Sequence, residues 1–188
     1  FTNGGADANE QAVKIARLAA RKPRGLVIAR DRSYHGATHL AMALSGDSRT
    51  RAQVDPDALG VSHVAPPYAY RCPFGSISDT DCGIRGAAAV GERIEHFGAD
   101  RVAAVIMEPN AGSNGIVAPD SFWPALRRVT SERNVLLIAD EVQCGMGRTG
   151  KLFASEHFDL QPDIVVLAKG IASGMPLAAL LARSEVMK

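Results

Sequence analysis

The sequence predicts an α/β fold: three layers, α/β/α, around a mostly parallel sheet. Three observations carry that prediction. Residues 136–143 read LLIADEVQ, four apolar residues and then Asp140 and Glu141. Residues 164–170 read IVVLAKG, five apolar residues and then Lys169 and Gly170. Both runs are short and rich in Leu, Ile and Val, as strands buried on both faces are. The roughly twenty residues between Gln143 and Pro162 suffice for the crossover that two parallel neighbours require. Ligands of open parallel sheets bind beyond the carboxyl ends of the strands, so Asp140 and Lys169 are expected in one crevice.

An acid and an amine in one crevice admit two readings. One is a plain ion pair at strand ends, worth roughly 4 kcal/mol at ~4 Å and an effective dielectric of ~20. The other is a site for a carbonyl cofactor. A partly desolvated lysine loses proton affinity and attacks carbonyls, while a carboxylate keeps a pyridine nitrogen protonated. The flanking motifs decide between them.

Taken in order, Phe1-Thr2-Asn3 reads as the end of a strand. Residues 3–7 (NGGAD) form a tight turn into a helix over 8–21, with Ala12, Ile15, Ala16 and Ala19 on one face. Pro23 and Gly25 stop it. Glycine-rich backbone entering a helix N-terminus suits an anion, because free N–H groups and the helix dipole point at it, though most such turns only connect elements. Residues 25–30 (GLVIAR) predict a buried strand, followed by Ser33-Tyr34-His35-Gly36. His35 is given no proton-transfer role, since a lone histidine is more often structural. Residues 61–65 predict a strand, and 66–81 (PPYAYRCPFGSISDTD) a loop whose length suggests a function or an interface. A helix is expected over 83–97, with Ala87, Val90, Ile94 and Phe97 at helical spacing. Residues 102–107 (VAAVIM) predict a buried strand ending at Glu108-Pro109. A helix over 119–133 turns Phe122, Leu126 and Val129 inward, and strands follow at 135–139 and 164–168. Residues 177–182 (LAALLA) read as a final strand, although periodicity also allows a helix.

The chain has 188 residues, 46% apolar and 22% charged, which suits one globular domain. A net charge of +1 argues against a large nucleic-acid footprint. No apolar run reaches membrane-spanning length, so no membrane partner is expected. Cys72, Cys82 and Cys144 lack metal-ligand spacing; no metal site is expected, and reduced thiols fit a cytoplasmic protein. Residues 145–151 (GMGRTGK) match G-x-x-x-x-G-K, but Leu152 stands where a magnesium-binding hydroxyl is needed, and the loop does not follow its strand directly. The GGADAN turn lacks the third glycine of a dinucleotide site.

FTNGGADANEQAVKIAR, SYHG, IMEP, LLIADEVQCGMGRTGK and PDIVVLAKGIASGMPLAA occur in this order. Together they resemble the class III (omega-amino acid type) aminotransferases, fold-type I enzymes of pyridoxal 5'-phosphate, over essentially the whole chain. The resemblance is most specific from DEVQ to AKG. It implies an aspartate aminotransferase-like large domain. Family members are more than twice this length, so residues 1–188 are expected to be a partial cofactor-binding domain, cut at both ends, with the N-terminal segment and small domain absent. It implies that Lys169 carries the cofactor as an internal aldimine and then moves the substrate proton, and that Asp140 keeps the ring nitrogen protonated. Tyr34 covers one ring face, worth on the order of 1 kcal/mol, and Val142 the other. Gln143 bonds the phenolic oxygen, and Gly5 and Ala6 hold the phosphate through backbone N–H groups. Gly4 and Asp7 depart from the family's Ser-Gly-Ser/Thr/Ala-Glu pattern.

The implied activity is transfer of an amino group from an amino acid or omega-amino donor to a keto acid such as pyruvate, glyoxylate or 2-oxoglutarate, by a homodimer. Ser113 stands where members using 4-aminobutyrate or ornithine often carry Glu, which favours pyruvate, glyoxylate or taurine-like partners. Decarboxylases, phospholyases and an aminomutase share the same cofactor residues and remain alternatives, as does a catalytically incompetent cofactor-binding fragment.

Overall fold

Five buried apolar stretches form the parallel part of a six-stranded sheet. The computed structural model describes residues 1–23 and 25–188. The strands are β1 (Leu26–Arg30), β2 (Val61–Val64), β3 (Val102–Met107), β6 (Leu136–Asp140), β7 (Ile164–Leu167) and β8 (Ala179–Ala182), in spatial order β2-β1-β3-β6-β7-β8. The first five run parallel and β8 is antiparallel to β7. All six residues of β3, at the centre, are buried, which is why VAAVIM reads as an unbroken apolar run. A two-stranded hairpin, β4 (Asn110–Ala111) and β5 (Ile116–Val117), follows β3.

Helices cover both faces. On one lie α1 (Gly5–Ala19) and the short α2 (His39–Leu44), whose Ala8, Ala12, Val13, Ala16 and Leu44 pack with Val27, Ile106 and Ile138 of the sheet. On the other lie α4 (Asp79–Phe97) and α5 (Phe122–Glu132), with Val90, Ile94, Phe122, Trp123 and Leu126 packed on Ile28, Val105 and Leu137. This is the expected three-layer arrangement. A fifth helix, α3 (Ser48–Arg51), is a single turn.

Several boundaries differ from expectation. The first helix begins at Gly5, inside the expected turn, and ends at Ala19. Helix α4 begins at Asp79 rather than residue 83, because Ser78 Oγ accepts from the Asp81 amide while Asp81 accepts from the Ile77 amide. These two bonds cap the helix start and shorten the expected 66–81 loop. Helix α5 begins at Phe122 rather than 119. The crossover from β6 to β7 contains a 3₁₀ turn at Ala154–Phe158. The final apolar stretch is a strand, which resolves the alternative left by periodicity. Thr2 bridges antiparallel to Ala178, its amide donating to the Ala178 carbonyl at 2.9 Å and its carbonyl accepting from the Ala178 amide at 2.8 Å. Phe1–Asn3 therefore touches the sheet where an extended segment was expected.

Candidate active site

The carboxyl ends of β1, β3, β6 and β7 face one way, and a cavity of about 330 Å³ lies beyond them. Gly5, Ala6, Tyr34, Asp140, Val142, Gln143 and Lys169 all line it. Each comes from a strand end or the segment just after it, except Gly5 and Ala6, which open α1. A second space of about 570 Å³ adjoins the first and shares Val142, Gln143 and Lys169 with it.

Asp140 ends β6 and is 3% exposed. Its Oδ2 accepts from Asn9 Nδ2 at 2.8 Å and lies 2.7 Å from His35 Nδ1. Its Oδ1 accepts from the Val142 amide at 3.0 Å. An amide side chain, an imidazole and a backbone N–H thus surround the buried carboxylate. Asn9 also donates to the His35 carbonyl at 2.8 Å, so it ties α1, the segment after β1 and β6 together. Glu141, the next residue, serves a different purpose. It accepts from the amides of Ala154 and Ser155 at 2.9 and 2.8 Å and from Cys144 Sγ at 3.2 Å, which fixes the crossover loop. Burial, and then the Glu141 charge, push the Cys144 thiol up.

Lys169 lies two residues beyond β7 with φ +47, left-handed backbone. It makes no ion pair with Asp140, so the plain strand-end pair is not what the structure contains. Lys169 is exposed, between the two cavities. The desolvation expected from the sequence is absent, because no described segment covers the mouth of the crevice on that side. Tyr34 is 39% exposed. Ser113 is exposed in the turn between β4 and β5 and lines neither cavity.

The start of α1 is tightly enclosed. A Cβ on Gly5 would lie 2.9 Å from Val142 Cγ1. A Cβ on Gly36, whose φ is +134, would lie 2.4 Å from Ala6 Cβ. Glycine at both places brings three segments against the helix end, where the first backbone N–H groups have no intrahelical acceptor. The donor set and the enclosure fit a phosphorylated pyridine cofactor. The chain offers an amine, a buried carboxylate flanked by donors, and free amides at the positive end of a 15-residue helix.

Sequence reasoning missed Asn9 and the pairing of His35, and it left Glu108 without a role. SYHG marked His35 and the LLIADEVQ run marked Asp140, but nothing joined the two across 105 residues. Glu108 follows β3, lines the cavity and is 4% exposed. Burial raises its carboxyl above the ordinary range; His35 and Arg30 oppose that rise and Asp140 adds to it.

A mostly parallel sheet between helical layers, with a cavity beyond the carboxyl ends of its strands, defines an α/β protein with a strand-end binding crevice. Comparison with known proteins narrows the class: the model of the aminotransferase class-III family matches residues 1–188, and the chain belongs to that family. It is 41% identical over 188 residues to a diaminobutyrate–2-oxoglutarate aminotransferase of Haemophilus influenzae, covering 96% of this chain and 40% of the relative. It is 38% identical over 190 residues to a leucine/methionine racemase of Thermococcus litoralis, covering all of this chain and 42% of the relative. The omega transaminase of Pseudomonas jessenii, solved in complex with PMP, superposes with a TM-score of 0.92 at 36% identity, covering 100% of this chain and 43% of that one. The chain thus spans about two fifths of the length of the relatives it matches.

Proposed function

We propose that these residues are the cofactor-binding part of a longer, pyridoxal 5'-phosphate-dependent transaminase. It moves an amino group from an amino acid or omega-amino donor to a keto acid such as pyruvate, glyoxylate or 2-oxoglutarate. The observation that carries the reading is the convergence of Lys169, Asp140 and the start of α1 on one cavity. The bound cofactor supplies an electron sink for the bond broken at the substrate carbon. Everything else falls to the chain.

The Lys169 amine would hold the cofactor's aldehyde carbon and, once displaced, carry the substrate proton on Nζ. Asp140 would face the ring nitrogen, with its contacts to Asn9, His35 and the Val142 amide holding the carboxylate in place. Gly5 and Ala6 would bind the phosphate by backbone N–H groups. Tyr34 and Val142 would bound the two ring faces, and Gln143 would reach the phenolic oxygen. The exposure of Lys169 supports an assembly in which another segment or a second subunit closes the mouth, and we propose a homodimer. For the same reason the 188 residues alone are expected to turn over little substrate. The three free cysteines support a cytoplasmic setting.

Similarity to a racemase supports a second reading, in which the same cofactor residues serve a reaction without net amino transfer. Two measurements test these readings. Borohydride reduction of the cofactor-loaded intact protein, followed by peptide mapping, should place the adduct on Lys169; an adduct on Lys151 or Lys14 would refute the site. Keto-acid formation from several amino donors should exceed interconversion of their enantiomers, and the reverse result favours the second reading.

A further inference from the structure

Behind Tyr34 and His35 the cavity wall holds a charge pair with no part in the contacts above. Glu108 Oε2 accepts from Arg30 Nη2 at 3.2 Å, and Oε1 accepts from the Tyr34 amide at 3.4 Å. Arg30 ends β1 and is fully buried; its Nε and Nη1 have no partner among the described residues. Burial lowers the proton affinity of that guanidinium and Glu108 restores part of it; arginine stays charged in such a setting. The charged and titratable groups facing Glu108 are Arg30 from β1, His35 from the segment after β1, and Asp140 from β6. Lys169 lines the same cavity from beyond β7.

A strut between β1 and β3 is the plain explanation, and it fits poorly. Charged hydrogen bonds are usually 2.7–2.9 Å long, and both bonds here exceed that. Buried ion pairs seldom out-stabilise apolar replacements of the same volume. What the pair does have is position: one fixed anion and one fixed cation in the wall beside Asp140.

We propose that Glu108 is a positioning residue for charge: the balance between its carboxylate and the Arg30 guanidinium sets how tightly the titrating nitrogen of the bound cofactor holds its proton. The inference rests on the reading of this cavity as a pyridoxal phosphate site. A nearby anion raises the proton affinity of a cationic acid and a nearby cation lowers it. With both present the effects nearly cancel. Removing either one uncovers the other.

The test is a pH titration of the bound cofactor's absorbance in the intact protein loaded with pyridoxal phosphate. Glu108→Gln leaves Arg30 unopposed, and the midpoint should fall by about one pH unit, a tenfold loss of proton affinity. Arg30→Met should raise it. The double variant should return close to wild type. A strut would loosen the cofactor in all three variants without this pattern of signs. A Glu108→Gln midpoint within about 0.2 pH unit of wild type, or two single variants shifting in one direction, overturns the proposal. Should Glu108→Gln not fold, Arg30→Met carries the test: a rise supports the proposal, and no change or a fall overturns it. A wild-type protein that takes up no pyridoxal phosphate refutes the functional reading itself. That outcome is distinct from a wild type that titrates normally and a variant that does not differ.

Discussion

Two buried aspartates stand at opposite ends of neighbouring strands. Asp140 closes β6 at its carboxyl end; Asp163 precedes β7 at the other. They are 3% and 4% exposed. Asp163 is saturated with charge: Arg127 Nη1 at 2.6 Å, Arg183 Nη1 at 3.0 Å and the Leu137 amide at 2.8 Å. Asp140 has an amide side chain, an imidazole and one backbone N–H. The first carboxylate is neutralised within the fold and clamps α5, β6, β7 and the turn after β8. The second lines a cavity. Burial is equal, so burial does not separate the two acids; the identity of the partners does, two guanidinium groups for Asp163 and none for Asp140.

The sharpest test of that contrast is Asp140→Asn in the intact protein. The amide keeps the shape but cannot hold a pyridinium, and turnover should fall about 10³-fold or more, a few kcal/mol in the transition state. Far-UV circular dichroism should not change. A near-normal rate would erase the distinction. Asp163→Ala should do the opposite. It leaves two arginines facing a vacated site, and because both are partly exposed the loss is about 2 kcal/mol of stability. Urea unfolding reads that loss, while cofactor bound per folded molecule should be unchanged. If Asp163→Ala also released the cofactor, the two ends of the sheet would be coupled and the comparison broken.

Smaller effects sharpen the cavity side. Gly5→Ala places a methyl 2.9 Å from Val142 Cγ1, so Val142 or the start of α1 must shift. Cofactor dissociation should weaken about tenfold, ~1.4 kcal/mol, by equilibrium titration. The smallest effect is in pH. Burial raises the Glu108 carboxyl above its unfolded value. At low pH both states hold that proton. As pH rises past the ordinary carboxylate range the unfolded chain releases it first, so stability falls until the pH passes the raised native value. Urea midpoints across that window should decline more steeply for wild type than for the Arg30→Met, Glu108→Gln double variant; equal slopes would place the raised group elsewhere.

The central strands were legible because β3, β6 and β7 are apolar runs buried almost throughout, and Asp140 and Lys169 were legible because such runs end abruptly. What was hidden depends on distant partners. Helix α2 has six residues and no local start signal, because its first amides are capped by Glu10 Oε1, from Leu40 N at 2.9 Å and Ala41 N at 3.3 Å. The β4–β5 hairpin pairs only two residues per strand, too few for alternation to register. Asn9 and Asp140 meet across 131 positions, and no period in the sequence joins them. Ser78 and Asp81 were a readable capping signal, and weighing helical apolar spacing over it set that helix four residues late. The exposure of Lys169 has no sequence signature, since it depends on what does or does not pack over a strand end.

The bridge between Thr2 and Ala178 bears on when the cavity forms. It joins residues near the two ends of the chain, and α1 starts three positions after Thr2. Closing so long a loop costs entropy that only the surrounding packing repays, and contacts of this span slow folding. During synthesis, α1 emerges before β7 and β8 and waits for them to leave the ribosome before its N-terminus is fixed beside Lys169. Competence to bind the cofactor is therefore acquired late. In refolding from urea, recovery of helical signal should precede recovery of cofactor absorbance, with the second following the slowest kinetic phase.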